Sequence, residues 1–190
     1  MALPPLVNGV LPLGRYPASL PEIEERWVTS EDFSQSTTRE AIWTEFMFGT
    51  RLLRLAVRVH AMWISGSFLT NRLDPADIDV VYLVNESERY SGTPDRGRVV
   101  DEFVLREWDE SLEKYVPQHG LRRLDSYVVD WRPHITNVLE DDEYRAYARR
   151  RGYWDDWWQR KRTGEKTDPP VPEDAFPARG YLEVSLDAYA

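Results

Sequence analysis

Residues 61–84 read AMWISGSFLTNRLDPADIDVVYLV, and the fold turns on them. An apolar run ending at Ser65 has the composition of a buried strand, and Gly66-Ser67 with a short polar connection follows. A second apolar run opens at Asp77-Ile78-Asp79. Successive side chains of a strand point to opposite faces, so Asp77 and Asp79 project side by side at its start. Two carboxylates that close repel each other unless a cation lies between them, and Mg²⁺ is a hard cation that takes oxygen ligands. Gly66 permits a close backbone approach, and Ser67 adds a hydroxyl and an N–H at an expected helix start. That chemistry suits a phosphate.

The 190 residues have room for one real core, and a single domain over 1–190 is expected. Hydrophobic content of 42% and charged content of 30% describe an ordinary globular chain. No apolar run is long enough to cross a bilayer, and the proline-bearing start MALPPLVNGVLPLGR does not resemble a signal peptide, so a cytoplasmic location is expected. There is no cysteine, and His60, His119 and His134 lack ligand spacing, which argues against zinc. A net charge of −9 argues against a dedicated duplex binder but permits local engagement of a nucleic acid end.

Residues 1–18 read as an extended lead-in. Ser19 and Glu22 form a capping-box pattern opening a short helix to about Trp27, and Thr37-Thr38 starts a longer one to about Val57. Arg51, Arg54 and Arg58 make a basic stripe on that helix, of the kind that usually faces solvent. Residues 85–97 read as a polar loop, and Val100, Phe103, Val104, Trp108, Leu112 and Tyr115 trace one face of a helix ending near Pro117. Leu124–Trp131 reads as a third strand and 140–162 as a helix that Gly152 could split. Residues 163–178 form a proline-rich loop, and 180–186 a last strand. The fold class is α/β or α+β: a small mixed sheet flanked by helices, with a C-terminal strand.

A lone Asp-x-Asp is weak evidence of chemistry. Here Gly66-Ser67 ends one strand and Asp77-x-Asp79 opens the next, so both can line one rim. Asp130, near the end of a further strand, offers a third carboxylate, with Asp125 ranked second on the opposite strand face. Asn71 and Asp74 in the connection are turn formers that need no function. The pattern of Gly-Ser, short spacer, Asp-x-Asp and a later single Asp resembles the polymerase-β-type nucleotidyltransferase superfamily, above all its minimal bacterial members. The proline-rich opening and the closing ARGYLEVSL are similar to an uncharacterised bacterial family with the same core. The resemblance implies that Gly66 and Ser67 hold nucleotide phosphates, that Asp77 and Asp79 bind two divalent ions, Mg²⁺ or Mn²⁺, and that Asp130 serves the same site by activating the acceptor hydroxyl.

The activity so implied is transfer of an NMP from an NTP, such as ATP, to a hydroxyl on an RNA end or a protein. The alternative is a non-catalytic binding protein on the same core, such as an antitoxin-like partner of another protein. Tyr153, Trp154, Trp157 and Trp158 recur at helical spacing beside Arg160-Lys161-Arg162. They read either as a stacking platform for a base or as a helix packed on the sheet, and the spacing of large aromatics favours the second.

Overall fold

The computed structural model describes residues 3–132, 142–164 and 168–187. In chain order its elements are β1 (Arg15–Pro17), α1 (Leu20–Trp27), α2 (Arg39–Ala56), β2 (Val59–Ser65), β3 (Ile78–Asn85), α3 (Glu86–Ser91), α4 (Pro94–Val104), β4 (Arg106–Asp109), β5 (Lys114–Pro117), β6 (Leu124–Trp131), α5 (Asp142–Gln159) and β7 (Tyr181–Ser185). The fold is mixed α/β, with a five-stranded sheet in the order β1-β7-β2-β3-β6 and a separate β4-β5 hairpin. β2 runs antiparallel to both β3 and β7, while β3 and β6 are parallel. The starts of β3, β6 and β7 therefore meet the end of β2 along one rim.

Both faces of the sheet are covered, which explains the unbroken apolar runs of its central strands. Ile78, Val80, Tyr82 and Val84 pack with Ile42, Phe46 and Leu53 of α2 and with Val100 and Phe103 of α4. The alternate residues Val81 and Leu83, with Trp63, Val129 and Tyr181, pack beneath Tyr147 and Trp158 of α5. Each large side chain so buried contributes roughly 1.5–3 kcal/mol of transfer free energy. Among the described residues, no helix is long and apolar enough to cross a membrane.

The capping box at Ser19 and Glu22 forms, and the Leu124–Trp131 strand has the expected bounds. The lead-in carries β1, which pairs in parallel with β7. Two expectations fail. The polar stretch 85–97 contains α3, capped by the Asn85 side chain accepting from Glu88 N–H, and the start of α4 at Pro94. The helix expected through residue 117 ends at Val104, because Asp109 Oδ1 accepts from the N–H groups of Ser111 (2.8 Å) and Leu112 (3.1 Å) and turns the chain into a hairpin. Trp108 and Tyr115 meet edge-on across that hairpin at 5.3 Å and remain exposed. Gly152 does not interrupt α5, which ends at Gln159. The expected helix start at 140–141 lies outside the described residues, as does His134.

Candidate functional site

The rim is built by a turn that only glycine can make. Gly66 follows β2 at φ +86° and ψ −169°, a region that side chains bar to other residues. The carboxylate of Asp79 occupies the place of the missing side chain: a Cβ on Gly66 would sit 1.7 Å from its Oδ2. Ser65 and Asp79 are cross-strand partners, so the antiparallel ladder aims Asp79 at Gly66. Ser67 begins a single 3-10 turn, Ser67–Leu69, rather than an α-helix.

The connection back to Asp77 is pinned from inside by Arg39. Its guanidinium donates to the carbonyls of Trp27 (3.0 Å), Phe68 (2.8 Å), Thr70 (3.1 Å), Arg72 (2.6 Å) and Leu73 (3.2 Å). The guanidinium also lies 3.7 Å from the Phe33 ring centroid, and burial lowers its pKa to about 10. Asp74 completes the staple by accepting from Thr37 N–H (2.7 Å) and the Ser36 hydroxyl (3.1 Å) at the start of α2. Neither role was visible in the sequence. The one available signal was an arginine in the first turn of a helix, where the macrodipole disfavours a cation.

Asp77 is buried just ahead of β3, and Lys114 of β5 donates to its Oδ2 at 3.1 Å. Asp79 is half-buried. Its register partner on β6 is Asp125, held by Arg106 at 2.7 Å and by the Tyr127 hydroxyl at 3.3 Å. Burial, and secondarily the Asp125 charge, pushes the Tyr127 phenol's pKa upward. Arg179, just before β7, sits within electrostatic reach of Asp79: burial lowers its pKa and Asp79 opposes the shift.

Asp130 does not join this group, which corrects its expected placement. Because β6 is parallel to β3, its end lies at the far edge of the sheet. Val84, not Asp79, is the register partner of Asp130. Five residues at ~3.3 Å each put it about 16 Å along the strand from Asp125, on the other face. There it pairs with Arg89 (2.7 Å) and accepts from Tyr90 (3.1 Å). Asp125, the second-ranked residue, is the carboxylate on the rim. Arg54 and Arg58 of the basic stripe pair with Asp187 and Glu88 at the start of β2, away from Gly66.

Among the described residues no three Asp, Glu, His or Cys side chains converge as a ready metal cage. Mg²⁺ usually takes only one or two protein carboxylates and completes its octahedron with waters and substrate phosphates. Asp77 and Asp79 supply only oxygen and stand two residues apart at the entrance to β3, which fits that donor set once Lys114 releases Asp77.

No curated protein and no solved structure is detectably similar to the chain. The family described as a family of unknown function, DUF6932, matches residues 4–185, and the chain belongs to that family.

Proposed function

We propose that this protein is a Mg²⁺-dependent nucleotidyltransferase that moves an NMP from an NTP to a hydroxyl on an RNA end or a protein. The observation that carries the reading is the row Ser65–Asp79–Asp125 across three strands, closed by Gly66 against the Asp79 carboxylate. Asp77 and Asp79 would hold Mg²⁺ or Mn²⁺, which when bound offsets the phosphate charge as a Lewis acid. Ser67 and the backbone after Gly66 hold the departing phosphates. Asp125 accepts the acceptor's proton as its oxygen bonds to the α-phosphorus, and the bond from that phosphorus to the bridging oxygen breaks to release pyrophosphate. The Gly66 turn and the Arg39 staple keep these groups in place before substrate arrives.

One feature favours a second reading. Lys114 and Arg106, both from the β4-β5 hairpin, already neutralise Asp77 and Asp125. A core whose carboxylates are satisfied internally suits a binding protein without turnover, such as an antitoxin-like partner. Calorimetry with NTP separates the two. Under the transferase reading Mg²⁺ increases NTP affinity, and Asp77→Asn or Asp79→Asn removes the increase. NTP affinity indifferent to Mg²⁺ and to both substitutions supports the binding protein.

A further inference from the structure

Beside the rim lies a cavity of about 370 Å³ between the end of α5 and the proline-rich segment. Trp158 fixes its position: its indole N–H donates to the Trp63 carbonyl (3.1 Å), and its own carbonyl accepts from the Ser65 hydroxyl (3.1 Å). The Gln159 carbonyl then accepts from the N–H groups of Ala178 (2.7 Å) and Arg179 (3.1 Å). These bonds bring Trp157, Arg160, Arg162 and Arg179 around one space, with Asp174 the carboxylate among the lining residues. Asp174 is already committed, accepting from Thr163 N–H (2.7 Å), the Thr163 hydroxyl (2.8 Å) and Val171 N–H (3.1 Å).

The cavity is cationic and carries unspent donors. Nε of Arg160 and Nε of Arg179 are buried and lack a hydrogen-bond partner among the described residues. Buried donors are nearly always satisfied, and these two belong to arginines that line the cavity, so its walls hold more donor capacity than the described residues use. The other arm of Arg160 is paired with Asp156, which leaves its planar fork held in position. Trp157 is 46% exposed, stacked on Tyr153 at 6.0 Å and 10°, with Arg160 5.5 Å from its ring centroid. A half-exposed indole beside guanidinium groups suits a flat ring that carries an anion.

We propose that this cavity is a nucleotide subsite in which Trp157 stacks a base and Arg160 and Arg179 bind its phosphate. The identity of the ligand rests on the transferase reading above, while its location rests on the cavity alone. Arg179 links the two, since it lines the cavity and also feels the charge of Asp79. The nucleotide comes either as a free NTP or as the terminal residue of an RNA acceptor.

The test is binding of each NTP, of pyrophosphate and of a short oligoribonucleotide ending in a 3′-hydroxyl, in EDTA and in Mg²⁺. Trp157→Ala and Arg160→Gln are each expected to weaken the nucleotide probe that binds by about tenfold or more in both conditions. Trp157→Phe should restore most of that loss, and pyrophosphate should respond to Arg160→Gln but not to Trp157→Ala. The probe that binds identifies the source. Unchanged nucleotide affinity in Trp157→Ala and Arg160→Gln overturns the subsite, as does the absence of binding by every nucleotide probe. The transferase reading is judged separately, by whether Asp79→Asn removes the Mg²⁺-dependent part of binding.

Discussion

The carboxylate of Asp79 lies over the Cα of Gly66 so closely that a Cβ there would fall 1.7 Å from Oδ2. Two strands that meet antiparallel thus share one volume at their junction, and the residue that vacates it is glycine. This makes Gly66 and Asp79 a single device: the turn needs the positive φ, and the carboxylate needs the space.

Gly66→Ala is therefore expected to act on both. The backbone strain of a side chain at φ +86° costs about 1–3 kcal/mol, and Asp79 must swing away besides. Thermal unfolding should show the loss, and Mg²⁺-dependent NTP binding should fall with it. Wild-type stability in Gly66→Ala would contradict the close approach.

The two candidate third carboxylates separate cleanly. Asp125→Asn is expected to lower transfer by about a hundredfold or more while leaving NTP binding largely intact, since in the proposed reaction it removes the proton acceptor. Asp130→Asn should leave the chemistry alone and instead destabilise the fold. Asp130 and Arg89 expose only 9% and 14% of their side chains, and breaking such a pair costs about 3–5 kcal/mol. Loss of transfer in Asp130→Asn with unchanged stability would reverse the assignment.

How far these residues could be read from sequence depends on what kind of information places them. Gly66, Ser67, Asp77 and Asp79 sit within a hairpin-like unit, so local alternation and spacing were enough to bring them to one rim. Asp125 and Asp130 depend on whether β6 runs with or against β3, and no residue inside Leu124–Trp131 encodes that direction. The connection through α4 and the β4-β5 hairpin settles it. The hairpin is itself hidden in the sequence, because Trp108, Leu112 and Tyr115 continue a helical spacing past Val104. Arg39 was invisible for another reason. Its partners are backbone carbonyls of the Gly66–Asp77 connection and of Trp27, and carbonyls leave no mark in a sequence.

The aromatic run at the end of α5 divides by exposure. Trp158 is 3% exposed and hydrogen-bonded to β2, so Trp158→Ala should cost about 3–5 kcal/mol. Trp157 faces the cavity, so Trp157→Ala should leave the denaturation midpoint within a few degrees of wild type. Equal losses in the two variants would place both in the core.

Arg39→Met replaces five carbonyl hydrogen bonds with none. It is expected to destabilise the fold by about 3 kcal/mol or more, and to raise proteolysis within residues 68–77. Arg39→Lys should recover little, since one ammonium cannot reach five acceptors. Recovery by lysine would show that charge alone matters at this position.

His119 gives the fold a pH dependence. Burial, helped by the charge of Arg106, lowers its pKa from 6.5 to about 4. Its Nδ1 accepts from Leu121 N–H at 3.1 Å, a bond that protonation breaks. The unfolded chain takes up this proton first, so the stability from neutral His119 is complete above about pH 6.5 and drains away as pH falls toward 4. Denaturant titrations of wild type and His119→Gln should therefore converge across that window. A constant gap between the two curves would show that His119 does not titrate there.

Incubating the protein with each α-³²P-labelled NTP, Mg²⁺ and cell extract, alongside Asp79→Asn, tests the transferase claim most directly. Label covalently attached to an RNA end or a protein is expected with wild type and Mg²⁺, together with release of pyrophosphate, and no label with Asp79→Asn or EDTA. Label that persists in Asp79→Asn, or no labelled product with any of the four nucleotides, would contradict it.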